Sequence, residues 1–205
     1  MDGTLGPRLR AARASRHLSL QAVAASIGVS ASLLSQVERG KSLPSVSTLT
    51  TLVTHLGVSM DELLLSPGAE ETILPGADPR RVASATHGYR PVQRSFENPV
   101  IEMENGVVWE RLAVSPSRTV EPRIATYAPG ASSSVEGRMV SHPGTEHAYV
   151  LEGELLLRLE LETHVLGPGD SLSFDSLRPH MFVNETRRTA RGLWFVVAPP
   201  PIAPR

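Results

Sequence analysis

Residues 19–40 read SLQAVAASIGVSASLLSQVERG, and the rest of the chain is organised around this stretch. Leu20, Val23, Ala24 and Ile27 recur three and four apart, so they share one face of a helix that Ser19 can cap. Gly28 supplies the turn, because glycine takes a positive φ without a Cβ clash. Ser30 then caps a second helix with Leu34 and Val37 on its apolar side, and Gly40 stops it. Ala24 is small, as a close helix crossing requires. Two short helices meeting at a tight glycine turn predict a helix-turn-helix.

On the second helix Ala31, Ser32, Ser35 and Gln36 are small or polar and lie off the apolar stripe. No acidic side chain among them would repel phosphate in a major groove. Gln36 is the expected base reader, since its amide can bond adenine N6 and N7 together. Ser32 and Ser35 can bond several bases and so discriminate weakly. Ala31 can touch only a thymine methyl or the backbone. Arg10, Arg39 and Lys41 are the expected phosphate contacts.

The flanks extend the pattern. Leu49, Leu52, Val53 and Leu56 make a fourth helix amphipathic, and Ser59 with Glu62 fits a capping box for a fifth. Residues 5–65, with LRAAR, LSLQAVA, GVSASLLSQVERG, LPS and LGVSMDELL in order, resemble the five-helix DNA-binding domain of the xenobiotic-response-element family. That is a lambda-repressor-like fold. The resemblance implies that Arg13 pairs with Glu38, tying the first helix to the end of the recognition helix. It also implies a homodimer reading a near-palindromic duplex.

The whole chain of 205 residues suits two small domains. Its net charge of −1 argues against a protein that merely coats nucleic acid, but the first 66 residues carry +2 and the remainder −3. Cysteine is absent, which removes disulfides and thiolate metal sites. No apolar run approaches the ~20 residues of a membrane span, and MDGTLGPRLR has no signal-peptide core, so a cytoplasmic protein with no membrane partner is expected.

Residues 1–66 therefore form the DNA-binding domain. Residues 67–86 are rich in proline and glycine and read as a linker, with one short strand at 72–74. Residues 87–198 change to alternating apolar positions, with strands at 107–112, 148–151, 155–161, 171–174 and 193–197 between Gly/Pro turns. Many short strands with no helices between them imply an antiparallel sandwich or barrel. A proline-rich tail, 199–205, ends the chain.

HPGTEHAYVLEGEL (142–155) and GPGDSLSFDSLRPHMFVN (167–184) resemble the two motifs of the cupin family. His142, Glu146 and Gly153 fit the first motif; Gly169, His180 and Asn184 fit the second. Asp175 and Leu177 stand where the second motif has proline and glycine, and Val140 replaces the family's first histidine. The resemblance implies a double-stranded β-helix jelly roll. It leaves His142, Glu146 and His180 as a two-histidine, one-carboxylate face that can hold one divalent metal: iron, zinc or nickel. The same side chains could instead hydrogen-bond an effector without metal. Tyr149, Phe182 and Asn184 are the candidate effector-pocket residues, and Arg123 and Arg138 could neutralise an anionic effector. His17, His55, His87, His147 and His164 match no ligand position.

The chain thus reads as a two-domain, all-α plus all-β protein: a non-enzymatic transcriptional regulator whose cupin domain senses a small molecule. The alternative is a mononuclear non-haem iron enzyme resembling the hydroxypropylphosphonate epoxidase, which also joins such a helical domain to a cupin.

Overall fold

Three serines start three helices, two of them, Ser19 and Ser30, as the sequence predicts. Ser19, Ser30 and Ser45 each accept a hydrogen bond on Oγ from the backbone three residues on, at 3.1 Å. The computed structural model describes residues 5–58, 60, 63, 92–114, 119–135 and 137–197. Within these, the helices are α1 (Leu5–Ser15), α2 (Leu20–Ser26), α3 (Ala31–Glu38) and α4 (Val46–Leu56). Between α2 and α3 Gly28 takes φ +71°, and the two helices meet at 114°. Leu9, Val23, Ala24, Leu34, Val37, Leu49, Leu52 and Leu56 are buried together as their common core. Among the described residues no single helix is long and apolar enough to cross a membrane.

Most of the expected fifth helix, its capping box, the linker and the strand at 72–74 fall outside the described residues. Met60 and Leu63 are described, and both are buried against the helical core. Arg8 donates from Nη1 to the Leu63 carbonyl at 2.6 Å, so this arginine ties α1 to the end of the domain.

Among the described residues the β domain has nine strands: β1 (Val100–Glu102), β2 (Val107–Arg111), β3 (Val120–Tyr127), β4 (Thr145–Glu152), β5 (Leu155–Leu159), β6 (Glu162–Leu166), β7 (Ser171–Asp175), β8 (His180–Val183) and β9 (Ala190–Val197). Six form an antiparallel sheet in the order β1-β2-β3-β9-β4-β7, and three form a second sheet, β6-β5-β8. Alternation sends Glu146, Ala148 and Val150 of β4 inward, with Leu155, Leu157 and Leu159 of β5. All five expected strands are present; β1, β3, β6 and β8 are additional.

Gly153 turns β4 into β5 at φ +74°, and a Cβ there would overlap the Thr189 carbonyl oxygen. Gly153→Val is therefore expected to cost about 3 kcal/mol or more, from strain and overpacking together. Urea unfolding followed by β-sheet circular dichroism checks this; an unchanged midpoint contradicts it.

The two domains touch through backbone groups. Ser47 N–H at the start of α4 donates to Ser133 O at 2.9 Å, and Glu104 N–H donates to Pro44 O at 3.0 Å. Arg138 reaches from the barrel to the helix-turn-helix itself, donating from Nη1 to Gly28 O at 2.9 Å.

Candidate functional site

The helical face comes first in the chain. Burial of Leu34 and Val37 leaves Ser32 exposed and Ala31, Ser35 and Gln36 half-buried on α3. Arg10, Arg39 and Lys41 are all exposed. Gln36 Oε1 accepts from Ser42 Oγ at 2.8 Å, which orients the amide while leaving its N–H donors uncommitted to that bond. Ser42 is a positioning residue that spacing alone does not reveal. Arg13 grips Glu38 with two parallel bonds, Nε–Oε1 at 2.6 Å and Nη2–Oε2 at 2.8 Å. Its Nη1 also donates to Leu18 O at 2.8 Å. The bond to Glu38 raises the Arg13 pKa further above its ordinary value.

The second constellation sits inside the barrel. Glu146 comes from β4, His180 from the first position of β8, and His142 from the segment before β4. Both imidazole Nε2 atoms stand 3.4 Å from Glu146 Oε2. One donor atom from each residue lies within 4.8 Å of the others. His180 Nδ1 lies 2.8 Å from Arg178 O, so Nδ1 carries a proton, and Nε2 is the ring nitrogen that faces Glu146. Burial pushes the Glu146 carboxyl up, but bonds from His142 and His180 and their charge outweigh it and hold the pKa at about 2. Burial pulls His180 down, and the bond and charge of Glu146 more than offset this, so its pKa is raised.

These groups fit a metal. The set offers two soft-to-borderline nitrogens and an ionised oxygen, and two adjacent donors of a tetrahedral ion with ~2.1 Å bonds lie about 3.4 Å apart. Val140 pairs its backbone with His180 in both directions, at 3.0 and 2.9 Å, and fills the neighbouring position with an apolar side chain. A fourth protein ligand is thus missing there, and a held ion would keep coordination positions open for a ligand.

Around the triad lies a cavity of about 210 Å³. The barrel supplies Arg123, Tyr127, Phe182 and Trp194, and α4 supplies Val46, Thr50, Val53 and Thr54. Its aromatic wall is continuous, with Phe182 edge-on to Trp194 at 5.3 Å and to His180 at 6.4 Å between centroids. Tyr127 is fully buried in this wall; burial and the Glu146 charge raise its pKa and Arg123 lowers it, so it stays neutral.

Residues 9–63 match the helix-turn-helix family HTH_3, and residues 123–196 match the cupin domain family Cupin_2. The chain is a helix-turn-helix domain joined to a cupin domain, of the XRE type. The helix-turn-helix regulator PuuR of Escherichia coli is 28% identical to it over 188 residues, covering 91% of this chain and 90% of that protein. SutR of the same organism, also an HTH-type transcriptional regulator, is 27% identical over 186 residues, covering 90% and 89%. The crystal structure of an HTH_3 family transcriptional regulator from Vibrio cholerae matches 96% of both chains with a TM-score of 0.65 at 23% identity, which fixes the fold.

Within the cupin domain, two of the expected pocket residues lie elsewhere. Tyr149 alternates outward on β4 and is 45% exposed, because its neighbours Ala148 and Val150 take the inward positions. Asn184 is fully buried, but its amide N–H groups donate to the carbonyls of Tyr127, Ala128 and Arg188 and so lock the end of β8. Phe182 does line the cavity. His17, His55, His147 and His164 are exposed; His87 lies outside the described residues. The contribution of α4 to the cavity wall had no counterpart in the sequence reading, because no local pattern says which helix will face a barrel mouth.

Proposed function

We propose that this chain is a DNA-binding transcriptional regulator whose cupin barrel senses a small molecule and modulates operator binding. The observation that carries the reading is the cavity shared between α4 and the barrel. A ligand held there touches the DNA-binding domain and the barrel at once, so it changes the relative stability of their arrangements. The likeness to PuuR and SutR over most of their length supports the regulatory half of the reading. In a homodimer, two α3 helices about 34 Å apart would read a near-palindromic site in successive major grooves. Arg10, Arg39 and Lys41 would hold phosphates, and Ala31, Ser32, Ser35 and Gln36 would face base edges. The protein would act in the cytoplasm.

Gln36 provides the test at residue level. Gln36→Ala is expected to weaken binding to the selected operator by about 1–3 kcal/mol and leave binding to random duplex unchanged. Fluorescence anisotropy on both duplexes measures the difference. Equal losses on both would make Gln36 a backbone contact.

A second reading rests on the triad. His142, Glu146 and His180 would hold Fe(II), Zn(II) or Ni(II), and a redox-active ion would supply oxidative chemistry of the non-haem iron kind. This chain's own residues would then position the substrate against the aromatic wall and keep water out. Oxygen uptake by the iron-loaded protein, above that of free iron and dependent on an added substrate, would favour this enzyme over the regulator.

A further inference from the structure

We propose that the cavity is a binding site for a small aliphatic carboxylate, with Arg123 as its anchor. Inward alternation on β3 brings Glu121, Arg123, Ala125 and Tyr127 to the barrel interior. The Arg123 guanidinium lies over the Trp109 ring at 4.3 Å from its centroid, and its side chain is only 11% exposed. Stacking fixes the guanidinium plane. Glu121 approaches to 3.8 Å, beyond hydrogen-bond reach, so it offsets charge without occupying the N–H fork.

Register adds a second cation. Arg111 of β2 stands directly opposite Arg123 of β3 and lines the recess that adjoins the cavity, with Met60 and Trp109. Glu121 leaves the N–H fork of Arg123 open at this end of the cavity, whereas Glu146 at the far end is held by its two histidines. A planar anion matches that guanidinium fork with two parallel bonds. The other walls are Trp194, Val53 and Val58, which suit a hydrocarbon chain better than a hydrated inorganic anion. At roughly 30 Å³ for each water-sized group, the volume takes about seven non-hydrogen atoms, the size of pentanoate.

The site itself stands on geometry alone; that its ligand controls DNA affinity rests on the regulator reading above. The test uses the full-length protein with pentanoate, and with pentanamide, pentylamine and sulfate as contrasts. Saturating pentanoate is expected to raise the melting temperature by more than about 3 °C, with no comparable effect of the other three. Arg123→Met is expected to weaken pentanoate binding by about 30-fold or more in calorimetry, and Arg123→Lys to retain part of it. Thr50→Trp, which fills the cavity from α4 and leaves Arg123 intact, is expected to abolish binding as well, and decides the matter if Arg123→Met does not fold.

No stabilisation by pentanoate, an equal response to sulfate, pentanamide or pentylamine, or an unchanged response in Arg123→Met overturns the carboxylate site. Pentanoate that binds through Arg123 yet leaves duplex affinity unchanged overturns only the regulatory link. The two failures are therefore distinguishable.

Discussion

Arg13→Met is expected to destabilise the helical domain by about 3–5 kcal/mol, because it leaves the Glu38 carboxylate buried without its cation. Glu38 is only 5% exposed at the last position of α3, and both of its oxygens bond the same guanidinium. Arg13 also satisfies Leu18 O beyond the end of α1, so one side chain ties α1, the following loop and α3 together. The double variant Arg13→Met/Glu38→Met is expected to recover most of the loss, since an apolar pair of similar volume needs no desolvated charge. Helical circular dichroism in a urea series reads both values. A single-variant cost below about 1 kcal/mol would place this pair with ordinary exposed ion pairs and contradict the argument.

His180→Ala is expected to lower affinity for Zn(II) by more than about 100-fold, beyond what loss of an outer-shell partner costs. His180 is 3% exposed, has its tautomer fixed by Arg178 O, and shares Glu146 with His142. Removing it leaves two donors, too few to outcompete water for the ion. Glu146→Gln tests the charge at constant shape and is expected to show a similar loss. Isothermal titration with Zn(II), against His147→Ala as an exposed control, gives the comparison. Wild-type protein that takes up no Zn(II), or a His180→Ala variant that binds as well as wild type, contradicts a metal role for the triad.

The helical domain was legible because its signals are local. Ser19 and Ser30 cap, Gly28 turns, and apolar residues recur at helical spacing, all within a few residues of where they act. The Arg13–Glu38 pair came from the family resemblance, since nothing in a spacing of 25 residues announces a contact. In the barrel, β4, β5, β7 and β9 show apolar alternation. β3 hides because Glu121, Pro122 and Arg123 interrupt that alternation, and β6 hides because four of its five residues face solvent. The triad came from the resemblance to the two cupin motifs, and the structure brings its three side chains together.

The pocket was harder to read. Tyr149 and Phe182 both sit on strands, but which face of each is inward depends on pairing: Tyr149 lies opposite Leu193 and Ser171, on the outer side of the sheet. Arg123 could not be told from a solvated arginine until its strand had a register. The place of α4 against the barrel mouth is set by long-range backbone bonds such as Ser47 to Ser133, which leave no mark on the local sequence.

We infer that α3 reads a specific duplex. The most direct measurement is selection of binding sites by the full-length protein from a random duplex pool, followed by affinity against salt for the enriched sequence. One two-fold-related sequence with half-sites about 10 base pairs apart is expected, with affinity that falls steeply as salt rises. A pool that yields no enriched sequence, with the protein binding all duplexes alike or none, would contradict it.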